Sequence, residues 1–444
     1  MDILTGLQVF IRESPCGFFA VAALRARLLE AGFTELSEAE RWELSPGKNY
    51  FVTRNGSSIL SFKLPAAQPE SFHMIASHSD SPSFKLKPSP ALWSEGVLRL
   101  NVEAYGGMIR SSWFDRPLSV AGRVLTEEDG ALRQRLVCFD RDLLMIPSLA
   151  IHLGRDAGQD GKLSVQSELL PVLGGTDAEA WTRLLEEASG SDAGHILGAD
   201  LFLYCRMQPS IWGADREFLS APRLDDLACC YASFVGFLAA EAAGHALLHC
   251  VFDNEEVGSR SMQGAESNFL DMTLRRICGS LGMDQEESCA AVARSFLVSA
   301  DNAHAFHPNY AGKYDVVNRP KMNGGIVLKH QAGQKYTTDA VSEAMFKKIC
   351  RSHDIAYQEY ANHSDVPGGS TLGNISNTQV SVRSADIGLA QLAMHSAYET
   401  MGCADAERLA RFSEAFYREP LPRVEGERRE KEMCENGLAG DASL

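Results

Sequence analysis

Two kinds of hydrophobic pattern divide this chain. In residues 16–33 the apolar positions recur at helical spacing and Gly32 follows as a stop signal, which predicts an amphipathic helix. The segment FHMIASHSD predicts a short buried strand over residues 72–76 that runs into a polar loop. Between about residues 88 and 218 the pattern changes to short alternating runs such as VLRLNVEAY, separated by Gly, Asp and Pro, which is typical of antiparallel strands.

After residue 222, helical and strand patterns alternate. Residues 225–243 predict a long helix rich in Ala and Leu and ended by Gly244, and two more helices are predicted over residues 338–353 and 404–417. HALLHCVFD and SFLVSAD predict buried strands between these helices. This alternation predicts an α/β fold with a mixed, mostly parallel sheet flanked by helices.

The two patterns together predict the domain organisation. The α/β domain is discontinuous, built from residues 1–88 and 219–420, and a β-rich domain of residues 89–218 is inserted into it. The insertion also contains a polar helix near residues 177–188. Residues 421–444 are charged and contain Gly and Ser, so they are predicted to form a disordered tail.

Composition and charge narrow the class of protein. With 444 residues, of which 45% are hydrophobic and 23% charged, the chain is long enough for two globular domains. The formal net charge of −16 argues against nucleic acid and anionic membranes as partners. No stretch of 18 apolar residues is present that would predict a membrane span.

Cysteine usage and the first residues predict a cytoplasmic location. The eleven cysteines are scattered and form no C-x-x-C pair, which favours reduced thiols over a disulfide framework or a zinc ribbon. The segment MDILTGLQVF lacks the basic and continuously apolar regions of a signal peptide. We therefore expect a cytoplasmic protein.

Candidate metal ligands occur at five places where a predicted strand ends or a helix begins. In open α/β sheets, binding sites form outside the carboxyl ends of the strands. The candidates are His78 with Asp80 in HSD, Asp225 with Asp226 in RLDD, Glu255 with Glu256 in DNEEVGS, Asp301 in SADNAHAFHPN, and His395 in AQLAMHSAYET.

Each of these motifs alone also fits a more ordinary interpretation. H-x-D occurs in surface loops, adjacent Asp residues cap helices, and adjacent Glu residues form solvated acidic turns. His395 ends an apolar segment where an amphipathic helix is predicted to begin, which suits a boundary histidine. His304 and His307 are interpreted as loop residues rather than ligands.

Taken together, the five places favour metal chemistry. They supply two histidines and several carboxylates without a cysteine, a set that suits zinc, manganese or cobalt in a two-metal hydrolase. If one of Glu255 and Glu256 binds metal, the other is free to act as a base on an activated water. G-x-S-x-G, the Walker loop and G-x-G-x-x-G do not occur, so serine hydrolases and nucleotide enzymes have no support.

The same motifs, in order, resemble the aspartyl aminopeptidase family of co-catalytic zinc exopeptidases. HSDSPSFKLKP, PRLDDL, DNEEVGS, SADNAHAFHPNY, DVPGGSTLG and AMHS carry the resemblance, which begins at SPCGFFAV and covers nearly the whole chain. It implies a catalytic domain of zinc-exopeptidase type, split by an inserted β-rich dimerisation domain. It also implies a homo-oligomer, a dodecamer built from dimers.

The resemblance also assigns roles to individual residues. It implies that His78, Asp225 and Asp301 hold one divalent metal, that Asp225, Glu256 and His395 hold the other, and that Asp225 bridges the two. Glu255 would be the general base, and Asp80 would orient His78.

Three further residues would contact substrate. His152, in the insertion, matches a family histidine that reaches the active site of a neighbouring subunit. Lys329 matches a lysine thought to hold the side-chain carboxylate of the substrate, and Tyr336 lies near that pocket. Lys329 is otherwise an ordinary strand-end lysine.

The expected activity is hydrolysis of an N-terminal acidic residue, Asp or also Glu, from peptides. His363 stands where family members usually carry Arg, and Asp226 where many carry Asn, so the preference between Asp and Glu stays open. The alternatives are a broad-specificity two-metal aminopeptidase, an N-acyl amino-acid deacylase and a metal-binding oligomeric scaffold. Glu255 argues against the scaffold, because a scaffold needs no base beside its metal.

Overall fold

The computed structural model describes residues 2–153 and 163–421. Its helices are α1 (Ile3–Glu13), α2 (Gly17–Glu30), α3 (Ala180–Ser189), α4 (Leu224–Ala239), α5 (Phe269–Ser280), α6 (Gln285–Ala293), α7 (Ala340–Ser352), α8 (Leu372–Ser376) and α9 (Asp405–Arg418). None of the helices in these two ranges is long and apolar enough to cross a membrane. Of the predicted tail, residues 421–444, all but the first residue lie outside the described residues.

The strands form three sheets. In chain order they are β1 (Thr34–Leu36), β2 (Asn49–Arg54), β3 (Ser58–Lys63), β4 (Phe72–His78), β5 (Ser83–Ser94), β6 (Val97–Tyr105), β7 (Leu118–Glu128), β8 (Ala131–Cys138), β9 (Ile196–Cys205), β10 (Ser210–Trp212), β11 (Phe218–Ala221), β12 (Ala246–Phe252), β13 (Phe296–Ala300), β14 (Ala303–His304), β15 (Ile326–His330), β16 (Tyr357–Ala361), β17 (Arg383–Gly388), β18 (Ala390–Leu392) and β19 (Glu399–Gly402).

The largest sheet has nine strands in the order β1-β2-β3-β12-β4-β13-β17-β15-β16. The pairs β1–β2, β12–β4, β4–β13, β13–β17 and β15–β16 are parallel. The pairs β2–β3, β3–β12 and β17–β15 are antiparallel. The predicted α/β class with a mixed, mostly parallel sheet is therefore confirmed.

The central strands of this sheet are buried on both faces. One core, which includes Phe237 and Phe416, packs helices α1, α2, α4 and α9 against the sheet. A second core, which includes Phe252 and Phe269, packs α5 against it. Burial on both faces explains why β4, β12 and β13 are nearly continuous apolar segments in the sequence.

Strands β5 to β9 form a separate antiparallel sheet in the order β6-β5-β9-β7-β8. This sheet has its own hydrophobic core, which includes Phe84, Trp113 and Trp181. The polar helix predicted near residues 177–188 is α3. The antiparallel strands predicted from the alternating runs are present, while a role of the insertion in dimerisation stays a prediction.

A third, small sheet combines strands from the end of the insertion with strands from the segment that follows it. Its order is β10-β11-β19-β18-β14. Four of these strands lie next to a predicted metal ligand in the sequence. Strand β11 precedes Asp225, β14 follows Asp301, and β18 and β19 flank His395. The small sheet thus connects three ligand-bearing segments.

The helix predicted to begin at His395 is wrong. Strands β18 and β19 pair with each other around a turn in which Ala393 and His395 have φ values of 57° and 66°. Positive φ values interrupt a right-handed helix, and the strand pairing satisfies the backbone hydrogen bonds of the flanking residues.

Helix α4 ends at Ala239 rather than at the predicted residue 243. The buried ammonium group of Lys63 donates hydrogen bonds to the carbonyl groups of Leu238 and Ala240, at 3.0 and 2.7 Å. A cation at the carboxyl end of a helix satisfies its free carbonyl groups and its dipole, so the contact favours an early stop.

Candidate active site

The five predicted ligands meet at the carboxyl ends of neighbouring strands. Strands β12, β4 and β13 lie side by side, and Glu256, His78 and Asp301 stand at or just beyond their ends. Asp225 comes from the first turn of α4, and His395 comes from the turn between β18 and β19. Their convergence follows from the parallel strand order.

The carboxylate of Asp225 lies between the two histidines. Its Oδ1 is 3.5 Å from Nε2 of His78, and its Oδ2 is 3.3 Å from Nε2 of His395. The same His395 nitrogen is 3.4 Å from Oε2 of Glu256. Asp225 therefore belongs to two possible metal groups, one with His78 and Asp301 and the other with Glu256 and His395, each with ligand atoms within 4.8 Å of one another.

Backbone carbonyl groups fix the orientation of both histidines. Nδ1 of His78 is 3.0 Å from the carbonyl oxygen of Asp80, and Nδ1 of His395 is 2.6 Å from the carbonyl oxygen of Gly107. A carbonyl oxygen only accepts, so each Nδ1 carries the proton and donates it. Each Nε2 faces Asp225, and in the neutral imidazole it is the ring nitrogen that can bind a metal.

Asp80 contacts both His78 and the turn that carries Glu255 and Glu256. Its carboxylate accepts hydrogen bonds from the backbone N–H groups of these two residues, at 3.1 and 3.2 Å, and from the hydroxyl group of Tyr105, at 2.7 Å. Its Oδ1 is 3.4 Å from Nδ1 of His78. Asp80 therefore positions the acidic turn as well as the histidine ring.

The site concentrates negative charge in a buried place. Burial, together with the charges of Asp301 and Asp80, raises the pKa of Glu255 to about 8, although His78 opposes the shift. Burial and the charge of Asp225 likewise raise the pKa of Glu256. Burial opposes ionisation of Asp225 too, but its contacts with His395 and His78 lower its pKa below the usual range. A divalent cation would relieve this repulsion.

Unpaired carboxylate oxygens provide a test of whether a metal fits. Within the described residues, Oδ1 of Asp225, Oδ1 of Asp226 and Oε1 of Glu256 are buried without a hydrogen-bond partner. Such atoms are costly to bury unless something coordinates them. Nitrogen and oxygen ligands without sulfur suit zinc in a catalytic site, so the residues present fit the metal.

Asp226 also belongs to the group that includes His78, Asp225 and Asp301. Its Oδ2 accepts the backbone N–H of His78 at 3.2 Å. Burial, together with the charges of Asp301 and Asp225, raises its pKa well above the usual range.

Of the residues predicted to contact substrate, Lys329 and Tyr336 lie beside the cluster of predicted metal ligands. Lys329 is buried on β15, with Nζ 3.7 Å from Oδ2 of Asp301 and 5.5 Å from the centre of the Tyr336 ring. Burial opposes its charge, but Asp301 raises the pKa of the ammonium group above its usual range. His363 lines a cleft together with His304.

The structure does not bring His152 into the cluster. This residue is exposed in a turn, two positions before the undescribed residues 154–162. It is not among the possible metal ligands of the described residues. Its predicted contact with a neighbouring subunit stays a prediction.

Sequence reasoning missed three residues of the site. Tyr105 and Gly107, which contact Asp80 and His395, follow β6 within the segment assigned to the insertion. Glu399 is buried and accepts hydrogen bonds from the backbone N–H groups of Asp225 and His395. The signal available for Glu399 was weak: it is an acid four positions after a candidate histidine.

The comparison with protein families and curated proteins gives consistent results. The family model described as aminopeptidase I zinc metalloprotease (M18) matches residues 10–417. A probable M18 family aminopeptidase 2 from Clostridium acetobutylicum is 40% identical over 418 residues, which cover 92% of this chain and 96% of the relative. Its counterpart from Pseudomonas aeruginosa is 39% identical over 425 residues, which cover 94% and 98%.

Solved structures share the fold over nearly the whole chain. The cryo-EM structure of the Ape4 and Nbr1 complex matches with a TM-score of 0.89 at 36% identity, covering 94% of this chain and 85% of that one. The structure of the S. cerevisiae mApe1 dodecamer matches with a TM-score of 0.83 at 26% identity, covering 94% and 96%.

Proposed function

The chain belongs to the aminopeptidase I zinc metalloprotease (M18) family, and from this premise we propose that it removes N-terminal acidic residues from peptides with two zinc ions. Membership makes it a hydrolase that acts as an aminopeptidase. The observation that carries the two-metal proposal is the shared Asp225 carboxylate, which faces His78 on one side and His395 on the other.

In the proposed reaction, His78, Asp225 and Asp301 would hold one zinc ion, and Asp225, Glu256 and His395 would hold the other. Bound there, the ions would supply Lewis-acid activation of the attacking water and of the scissile carbonyl group. Manganese and cobalt suit the same nitrogen and oxygen donors.

Glu255 performs the proton transfers in this proposal. Its carboxylate takes a proton from the attacking water and later delivers it to the leaving amine. Asp80 holds the Glu255 backbone through an N–H hydrogen bond of 3.1 Å, which fixes the base beside the metal ligands. Nearby carboxylates attract the free α-amino group of the substrate, which restricts cleavage to the first residue.

Lys329 is proposed to read the acidic side chain of the substrate. Its ammonium group is buried, and its nearest carboxylate, that of Asp301, is 3.7 Å away, too far for a short ion pair. The charge is therefore only partly compensated, and a substrate carboxylate would complete its coordination. Tyr336 forms one wall beside the ammonium group.

A substrate panel tests this specificity. The wild type and Lys329→Met would be assayed with peptides that begin with Asp, Glu, Ala or Leu, and with N-acyl amino acids, in zinc, manganese and cobalt. Loss of a charge-assisted contact costs about 1.5–3 kcal/mol, so the preference of kcat/KM for Asp over Ala should fall roughly 10- to 100-fold. Because Lys329 also neighbours Asp301, the ratio between substrates is the informative quantity rather than the absolute rate.

Three outcomes of the panel separate the alternatives. Equal turnover of all four substrates by the wild type would indicate a broad aminopeptidase. Turnover of N-acyl amino acids alone would indicate a deacylase. An equal loss on every substrate in Lys329→Met would show that Lys329 does not read the side chain.

Assembly and location complete the proposal. The mApe1 structure is described as a dodecamer, and its similarity supports a homo-oligomer for this chain, a dodecamer built from dimers through the inserted sheet. His152 is then a residue that one subunit contributes to the active site of its neighbour. The free cysteines of the described residues suit a cytoplasmic protein.

A further inference from the structure

Glu399 is a buried carboxylate that contacts two of the proposed ligands through their backbones. Its Oε2 accepts the N–H of Asp225 at 3.0 Å, and its Oε1 accepts the N–H of His395 at 2.7 Å. The residue is 1% exposed. The Glu399 side chain therefore holds the main chain at Asp225, which both possible metal groups share, and at His395.

The position of Glu399 follows from the small sheet. It is the first residue of β19 and pairs with Ala221, the last residue of β11, just before the segment that leads to Asp225. His395 lies in the preceding turn with a φ of 66°, a left-handed conformation that is unfavourable for most residues other than glycine. The hydrogen bond from its N–H to Glu399 stabilises this conformation.

The buried side-chain amides of Asn302 and Gln391 connect Glu399 to the segment that carries Asp301. Asn302, which directly follows Asp301, donates to the carbonyl group of Leu224 at 2.8 Å and to the side chain of Gln391 at 2.9 Å. Gln391 in turn lies 3.5 Å from Oε1 of Glu399. A continuous buried polar network thus links the main chain beside Asp225, Asp301 and His395.

We propose that Glu399 is a positioning residue that aligns Asp225 and His395 for metal binding through their backbone N–H groups. Its polar contacts are with the N–H groups of Asp225 and His395 and with the side chain of Gln391. The inference rests on the proposed function, because it assumes that Asp225 and His395 hold zinc.

Glu399→Gln tests the proposal with little change in shape. The amide has one accepting oxygen, so its NH₂ group must face the N–H of either Asp225 or His395, and one ligand loses its restraint. Changes to groups that support metal ligands typically weaken metal affinity about 10- to 100-fold, and we expect that loss for zinc, measured by competition with a chromophoric chelator. The rise in melting temperature on adding zinc should shrink, and kcat should fall more than KM changes.

Asp405→Asn is a matched control. Asp405 is also a fully buried carboxylate, and it accepts the backbone N–H groups of Asn323 and Gly325 at 2.6 and 3.0 Å, but neither donor is a proposed ligand. This variant should lower the melting temperature of the metal-free protein yet keep the wild-type affinity for zinc. The same affinity in both variants would overturn the proposal and leave Glu399 with a merely structural role.

Glu399→Asp keeps the test decisive if the amide variant does not fold. The shorter carboxylate retains the charge but reaches only one of the two N–H groups, so zinc affinity should fall below that of the wild type. Wild-type affinity in Glu399→Asp would overturn the proposal. Failure of the proposed function would differ, because Asp225→Ala would then bind zinc as tightly as the wild type.

Discussion

At the scale of single residues, Glu255 is the group on which the proposed chemistry depends most. Glu255→Gln keeps the shape of the side chain and removes the base, so kcat should fall about 10²- to 10⁴-fold. Zinc content should stay at the wild-type level, because the proposed metal ligands are other residues. Elemental analysis together with steady-state kinetics would check both parts.

Glu266→Gln is the control for this change. Glu266 pairs with the exposed Arg260 outside the cluster, at 3.1 Å, so its amide variant should keep wild-type kcat. Wild-type turnover in Glu255→Gln at full zinc content would exclude Glu255 as the base.

Residue-scale contacts also mark a limit of prediction from sequence. His78, Asp225, Glu256, Asp301 and His395 could be named because they stand where apolar segments end and because the ordered motifs resemble a family. The supporting contacts could not be named in the same way. Gly107 and His395 are 288 positions apart, and no local pattern indicates that the carbonyl group of one will orient the ring of the other.

At the scale of elements, the close approach of β17 to the end of β13 positions Asp301. A Cβ atom added to Gly388 would collide with the carbonyl oxygen of Asp301. Gly388→Ala should therefore displace Asp301, lower the free energy of unfolding by about 1–3 kcal/mol and weaken zinc binding. Denaturant unfolding and a zinc titration would measure the two effects.

The matched change Gly279→Ala places the same methyl group in helix α5, where nothing lies within 4 Å. It should leave zinc binding unchanged and raise the free energy of unfolding by about 0.4–1 kcal/mol. If Gly388→Ala behaved in the same way, β17 would not constrain Asp301.

Prediction of elements succeeded where a segment interacts mainly through its own pattern. The apolar runs of β4, β12 and β13 and the helical spacing of α2 and α9 agree with the structure within a few residues. It failed around His395, because strands of three and four residues pair across the small sheet and override a helical pattern. It also misplaced the end of α4, which depends on a lysine from β3.

At the scale of the whole molecule, the change in hydrophobic pattern along the chain predicted the large sheet and the inserted antiparallel sheet. The third sheet was not predicted, because its short strands come from the end of the insertion and from distant positions after it. Tyr105 and Gly107, within the segment assigned to the insertion, contact Asp80 and His395 of the candidate site. The two larger sheets therefore both contribute contacts to one candidate site.

Assembly of the subunits leads to a prediction at the scale of the whole molecule. If His152 acts on the neighbouring subunit, His152→Ala should impair turnover while metal content and oligomer size stay unchanged. Mixing the His152→Ala and Glu255→Gln variants, under conditions in which subunits exchange, should restore part of the activity. Some subunit pairs then combine an intact Glu255 on one chain with an intact His152 on the other. Mixed oligomers confirmed by mass that recover no activity would argue against a role across subunits.

The central claim is that one carboxylate, Asp225, joins two zinc sites. The most direct measurement is the zinc content per chain of the wild type, Asp225→Ala and the surface control Asp271→Ala, determined by elemental analysis after equilibration with the same free zinc concentration. We predict two zinc ions per chain in the wild type and in the control, and a loss of zinc together with activity in Asp225→Ala. Two ions still bound per chain in Asp225→Ala would contradict the account.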